Sequence, residues 1–537
     1  MTNEQAPGHD YDWLIVGSGF GGSVSALRLS EKGYRVGVLE CGKRFKDEEY
    51  AKSAWNLRRY LWAPFLGLRG ILRMTLFKDV CIFSGSAVGG GSTVYANTLY
   101  RAKPEYFKNE QWCDLEDWQS TLSPFYDMAE KMLGVNIVPY ENPSDALLKD
   151  IARHYGKEDT FQRTPVGVFF GEEGVEVEDP YFEGQGPKRT GCTKCGACIV
   201  GCRVGAKNTL LKNYLWFAEQ KGTEIHAERQ VVDIQPLGAA DGSDGYRVTT
   251  ERPGAWFNKK RRVFTSKGLV MSAGALGTNT LLAQCKNSGS LPNISGQLGE
   301  LVRTNSESIL SVILPDDSVP VWNTVAIGAS IHVDADTHIE FVTYGEKGDF
   351  MGFNFTLLTG NGTRITRPLM WLGNILRHPI QFLKSLLPIG WSKRVVIFLV
   401  MQSLDNAIAF KTKRRLFGKG VKLVTVQNLE KPNPTYIDIA NKSAAWLAEK
   451  TGGKPQSMIF EAVGNVPTTA HILGGATIGR DSQSGVIDQN QKVYGYQNML
   501  VCDGAAVPAN PGVNPSLTIT AMTERAMSKI PLFGSPI

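Results

Sequence analysis

Apolar side chains run almost unbroken through Tyr11-Asp-Trp-Leu-Ile-Val16, the pattern of a strand buried on both faces. Gly17-Ser-Gly-Phe-Gly-Gly22 follows. From Ser23 to Lys32 the period changes, and Ala26, Leu27 and Leu29 share the inward side of a helix. A second apolar run, Tyr34 to Leu39, ends at Glu40. Strand, glycine turn, helix and strand are therefore expected in that order. Two later runs have the same character. Gly268 to Met271 leads into the small residues Ser272-Ala-Gly-Ala-Leu-Gly277, and Gln497-Asn-Met-Leu-Val-Cys502 leads into Asp503-Gly504. Thr337 to Glu346 alternates apolar and polar residues, which predicts a strand carrying Glu340.

Two segments combine apolar, aromatic and basic residues: Ala54 to Met74 and Pro368 to Arg394. Either suits a helix lying in a membrane interface, or one that covers an internal cavity. Pro379 and Pro388 break the second into short pieces, and neither segment is long enough to span a bilayer. Lys259-Lys-Arg-Arg262 reads as a solvated turn beside a hairpin, and Asp241-Gly-Ser-Asp-Gly245 as another turn.

The chain has 537 residues, 42% hydrophobic and 20% charged, enough for several ordinary globular domains and too apolar for extensive disorder. A net charge of +6 is modest at this length and gives nucleic-acid binding little support. The first ten residues are polar and do not form a signal peptide, so the expected location is the cytoplasm, with peripheral contact at the inner face of the cell membrane as a further option.

The chemistry begins at the first glycine turn. G-x-G-x-x-G between strand and helix, with Glu40 eighteen residues beyond Gly22, is the dinucleotide-binding pattern. Gly17 permits the turn, Gly19 admits backbone to a pyrophosphate, Gly22 lets helix pack on sheet, and Glu40 accepts from a ribose hydroxyl. A second glycine-rich loop, Gly85-Ser-Ala-Val-Gly-Gly-Gly-Ser-Thr-Val-Tyr-Ala-Asn97, suits close approach to a flat ring and its pyrophosphate. With the turns at Ala273-Gly274 and Asp503-Gly504, these dispersed loops indicate a long cofactor, FAD. The expected cofactor-binding set is Gly17, Gly19, Phe20, Gly21, Gly22, Glu40, Gly85, Gly89, Gly90, Ser92, Asn97, Val232, Ala273, Gly274, Asp503, Gly504 and Asn514.

Four of the nine cysteines fall within Gly191-Cys-Thr-Lys-Cys-Gly-Ala-Cys-Ile-Val-Gly-Cys202, as C-x2-C-x2-C-x3-C. That spacing is found in bacterial ferredoxins, although Arg203 stands where proline is usual. Cys192, Cys195, Cys198 and Cys202 are thus candidate ligands of an iron–sulfur cluster; zinc and a turn of packed, reduced thiols are the alternatives.

The glycine loops resemble the glucose–methanol–choline (GMC) oxidoreductase family, and within it the bacterial cholesterol-oxidase-like branch. Arg303-Thr-Asn-Ser-Glu-Ser308, His471-Ile-Leu-Gly-Gly475 and Gly512-Val-Asn-Pro-Ser-Leu-Thr-Ile-Thr520 extend the likeness from end to end, in the family's order. The resemblance implies an α/β fold in which a Rossmann-like FAD domain interleaves with an antiparallel-sheet substrate domain. The expected division is 1–110 and 206–310 with 466–537 for FAD and the active site, 111–205 as a connecting region, and 311–465 for substrate. It implies oxidation of the 3-hydroxyl of a sterol or steroid, with His471 as the active-site base and Asn514 beside it. A carboxylate, Glu340 or Glu346, is the candidate for shifting the sterol double bond. Imidazole suits removal of a hydroxyl proton near neutral pH. Some family members attach flavin through a histidine near the second glycine loop; none lies there, so a noncovalent flavin is expected. The alternative is a dehydrogenase of a ketosteroid or another hydrophobic alcohol. It would pass electrons through a cluster to an acceptor protein rather than to oxygen.

Overall fold

A computed structural model describes residues 8–415 and 420–535. Two seven-stranded sheets organise it. In the first, Tyr11–Val16 pairs in parallel with Val36–Leu39 on one side and with Arg262–Met271 on the other. Glu224–His226 and Met499–Val501 extend the parallel part, and the antiparallel strands Tyr246–Glu251 and Gln230–Pro236 close one edge. Leu14, Ile15, Val38, Leu269, Val270 and Met271 have no solvent exposure, which is why these strands read as continuous apolar runs. The first helix, Phe20–Glu31, starts three residues earlier than the periodicity predicts, because Gly21 and Gly22 belong to its first turn.

The second sheet is antiparallel, in the order Phe355–Leu357, Lys454–Met458, Ser308–Ile313, Val395–Gln402, Thr337–Val342, Ile327–His332 and Gln162–Arg163. Its strands alternate between two covered faces. Val396, Phe398 and Val400 pack with Ala440, Ala444 and Leu447 of the helix Asp438–Thr451, while Ile397 and Leu399 point the opposite way. On Thr337–Val342 the same alternation sends Ile339 and Phe341 towards that helix and turns Glu340 to the other face.

A three-stranded sheet, Thr468–Thr469, Cys81–Gly85 and Leu72–Leu76, leads the chain into Ala470 and His471. The segment from Ala54 to Met74 is helical only in the turn Leu57–Tyr60 and the 3-10 turn Pro64–Leu66. Pro64, Gly67 and Gly70 divide it into short strands, and Leu72 and Arg73 reach an internal cavity. Pro368 to Arg394 does form helices, Thr366–Arg377 and Pro379–Ser385, with Pro379 opening the second. No helix among the described residues is long and apolar enough to cross a membrane.

Candidate active site

A cavity of about 660 Å³ lies between the two large sheets. Glycine shapes one end. Gly17 has φ +103°, and a Cβ there would stand 2.1 Å from the Ser272 carbonyl oxygen. A Cβ on Gly90 would stand 2.6 Å from Gly19 Cα, so the two glycine loops meet backbone to backbone. Gly17, Gly19, Phe20, Gly21, Glu40, Gly85, Gly90, Ala273, Gly274, Asp503, Gly504 and Asn514 all lie on the wall. The buried Glu40 carboxylate accepts from Ser18 N (3.0 Å), Ser18 Oγ (2.7 Å) and Gly42 N (2.7 Å). Asp503 accepts from Ala505 N at 2.7 Å, and burial pushes its carboxyl up to about 6. Ser84 Oγ, Ser86 Oγ and Asn514 Oδ1 are buried along this wall without a partner. Buried polar groups normally have one, so the space suits a molecule with polar groups of its own, as a dinucleotide held by these glycine loops would have.

Five residues of the expected cofactor set lie off the wall. Gly22 serves packing: a Cβ there would meet the Gly17 carbonyl oxygen at 2.0 Å. Ser92 Oγ donates to Gly89 O (2.7 Å) and accepts from Leu210 N (3.1 Å), so Gly89 and Ser92 close the loop behind the cavity. Val231 lines the wall in place of Val232, because the strand register shifts between Val231 and Asp233. Asn97 faces a different, smaller pocket.

At the other end, His471 lies on the wall with its Nδ1 against the carboxylate of Glu307. Glu307 is fully buried and also accepts from Ala470 N at 2.7 Å. With Nδ1–H donated to a carboxylate, the Nε2 lone pair is left free to accept a proton. Asn305 and Ser306, both at positive φ, turn the chain so that Glu307 arrives there. Asn305 Nδ2 donates to Val513 O (3.0 Å), its Oδ1 accepts from Gly512 N (3.0 Å), and its backbone N–H donates to Asn510 Oδ1 (2.9 Å). These bonds fix Asn514 relative to the His471–Glu307 pair. Asn514 Nδ2 donates to Glu340 Oε2 at 3.2 Å. Glu340 has no solvent exposure, and burial, reinforced by the nearby Glu307 charge, pushes its carboxyl up to about 8 against the pull of Asn514. Glu346 is elsewhere: it is partly exposed and paired with Lys393 at 2.8 Å. Of the two carboxylate candidates, only Glu340 reaches a residue of the cavity wall, Asn514, although it does not line the cavity itself.

Glu307 was given no role by sequence reasoning. It stands within Arg303 to Ser308, but its histidine partner is 164 residues away. Cys192, Cys195, Cys198 and Cys202 line one pocket of about 20 Å³ together with Asn97 and Lys207, and all four are free thiols. Among the described residues, no group of three or more His, Cys, Asp or Glu side chains is arranged to hold a metal ion.

With this geometry in place, likeness to known proteins adds to it. The GMC oxidoreductase family model matches residues 412–523. A cholesterol oxidase of Acinetobacter baumannii is 46% identical over 97% of this chain and 95% of its own length. One of Mycobacterium tuberculosis is 48% identical over 98% of this chain and 92% of its own length. The chain belongs to the GMC oxidoreductase family, FAD-dependent enzymes that act on CH–OH groups, and to its cholesterol-oxidase-like branch. The fold is also that of pyridoxine 4-oxidase from Mesorbium loti, with a TM-score of 0.63 at 14% identity over 97% of this chain and 99% of that one. A fungal aryl-alcohol oxidase gives 0.58 at 15% identity over 97% and 98%.

Proposed function

We propose that this chain oxidises the 3-hydroxyl of a sterol or steroid to a ketone, with noncovalently bound FAD, and that it also shifts the product's double bond. The observation that carries this is that one cavity is lined both by the glycine loops and by His471 and Asn514, with Glu307 bonded to His471 and Glu340 to Asn514. Bound FAD supplies the hydride acceptor. His471 Nε2 takes the hydroxyl proton, and the imidazolium formed faces the Glu307 carboxylate. The Asn514 amide, anchored through Glu340, orients the substrate oxygen. Ile309, Ile327, Val342, Ile397 and Leu399 give an apolar wall suited to fused hydrocarbon rings, and it excludes water.

The deciding test is anaerobic mixing of holoprotein with a 3β-hydroxysterol. Rapid bleaching of the flavin band is expected; no bleaching in FAD-loaded protein sinks the sterol-alcohol reading. One peroxide per ketone in air would identify dioxygen as acceptor, and ketone formed only with an added acceptor protein would favour a dehydrogenase. His471 is the one histidine on the described cavity wall, and it is engaged with Glu307. Acid precipitation should therefore release the flavin, leaving none in the pellet.

The helices Thr366–Arg377 and Pro379–Ser385 support peripheral docking on the inner face of the cell membrane. Leu369, Leu376, Ile380 and Leu383 on these helices, and Leu387 and Ile389 just beyond them, are all more than 60% exposed. No Asp or Glu occurs between Asp349 and Asp405, while Arg377 and Lys384 flank the apolar surface. The protein should sediment with anionic phospholipid vesicles. A Leu376→Glu/Leu387→Glu variant should stay in the supernatant while oxidising detergent-dispersed sterol at the unmodified rate; equal sedimentation of both proteins would refute the docking surface.

A further inference from the structure

The pocket ringed by the four cysteines is not used by the sterol chemistry, and three features of its wall go beyond packed thiols. The first is how the sulfurs are presented. The loop curls through left-handed residues at Lys194 (φ +53°), Gly196 (φ +68°) and Gly201 (φ +109°). Gly196 is pressed so close that a Cβ would stand 2.3 Å from the Trp322 carbonyl oxygen. In this curl Lys194 N–H points at Cys192 Sγ (3.4 Å), Ala197 N–H at Cys195 and Ala326 N–H at Cys198. Backbone N–H groups aimed at sulfur are part of what tunes a thiolate-bound cluster.

The second feature is a buried cation. Lys207 is 1% exposed, and its Nζ donates to the carbonyls of Thr93 (3.1 Å), Tyr95 (2.9 Å) and Cys198 (3.0 Å). Among the described residues no carboxylate pairs with it, although a buried ammonium ordinarily needs an anion. The third is Asn97. It is fully buried, lines the pocket, and leaves both amide atoms without a partner. An amide at the edge of a pocket of thiols is placed to donate to an inorganic sulfide or a thiolate.

What separates iron–sulfur from zinc at this site is the spacing along the chain. The four cysteines that line the pocket form one C-x2-C-x2-C-x3-C run, the spacing of bacterial ferredoxins, whereas zinc is usually held by two separated pairs of ligands.

We propose that Cys192, Cys195, Cys198 and Cys202 bind an iron–sulfur cluster, with Lys207 as its buried counter-charge and Asn97 as a donor to it. The cluster would sit one layer of residues from the cofactor cavity. Cys198 and Asn97 face the pocket, while their neighbours Ile199, Ala96 and Thr98 face the cavity. This assignment stands independently of the sterol reading.

The test uses full-length, FAD-loaded protein purified without oxygen, before and after reconstitution with ferrous iron and sulfide. Iron and acid-labile sulfide should appear in equal amounts, about four of each per chain. A low-temperature electron paramagnetic resonance signal should appear on reduction by dithionite. Cys195→Ser, at an exposed position, and Cys195→Ser/Cys202→Ser should keep their FAD but lose at least tenfold of the iron and sulfide. Reconstituted protein holding less than a tenth of an iron per chain would overturn the proposal. So would equal iron in the parent and the double variant, or one zinc without sulfide. Sterol bleaching is read separately, so either result can fail alone.

Discussion

His471→Ala should lower kcat for sterol oxidation by about 10²–10⁴-fold, the usual contribution of a positioned general base. It should keep its FAD, because the loops of Gly17, Gly19 and Gly90, which would hold the cofactor, do not depend on the His471 side chain. Stopped-flow bleaching checks kcat, and the protein-to-flavin absorbance ratio checks loading. A fall below tenfold with flavin retained would remove His471 from the proton-transfer step. Glu307→Gln separates positioning from fold. Ala470 N–H and His471 Nδ1–H bond different oxygens of Glu307, so glutamine, with one amide oxygen, keeps only one of the two bonds, and it brings no charge to face the imidazolium. A charged hydrogen bond is worth about 1.5–3 kcal/mol, so kcat should fall roughly 10- to 100-fold with KM nearly unchanged. A merely structural Glu307 would instead cost flavin or stability and leave kcat of the loaded fraction intact.

What the sequence disclosed follows from how local each signal is. The first strand and its glycine turn were legible because the periodicity, the turn and the acid at Glu40 lie within thirty residues of one another. The same holds for Arg262–Met271 and Met499–Val501, whose apolar runs end where the chain meets the cavity. Assignment by neighbourhood failed where one residue decides the side. Asn97 lies beside wall residues yet faces the cysteine pocket, and a register shift exchanges Val232 for Val231. Ala54 to Met74 has the composition of an amphipathic helix, but Pro64, Gly67 and Gly70 prevail and leave short paired strands. Pairings across long separations were not legible at all. Glu307 meets His471, Asn514 meets Glu340, and Gln162–Arg163 joins the edge of the second sheet only through tertiary structure.

Glu340→Gln should abolish the double-bond shift while leaving alcohol oxidation within a few-fold of the parent enzyme. The two steps ask different things of the site. Oxidation needs a base for the hydroxyl proton, supplied by His471, and an oriented Asn514, which glutamine can still anchor by accepting from its Nδ2. Moving the double bond requires a group that removes a proton from carbon and returns it two bonds on, for which an amide is useless. The carboxyl of Glu340, pushed up to about 8 by burial, also sets a sign. The carboxylate form is the base, so isomerisation should rise with pH through about 8 and then level off, a limb that is absent in the glutamine variant. Stability runs the other way. Between the ordinary 4.5 of the unfolded chain and about 8 in the native protein, the folded state holds the extra proton. This contribution is therefore lost as pH rises through that window, and Glu340→Gln should flatten the decline. Product ratios read from the ultraviolet absorption of the conjugated ketone decide the chemistry, and thermal midpoints across pH decide the linkage. If the glutamine variant made conjugated ketone at the parent's rate, the proton would have to be carried by another group.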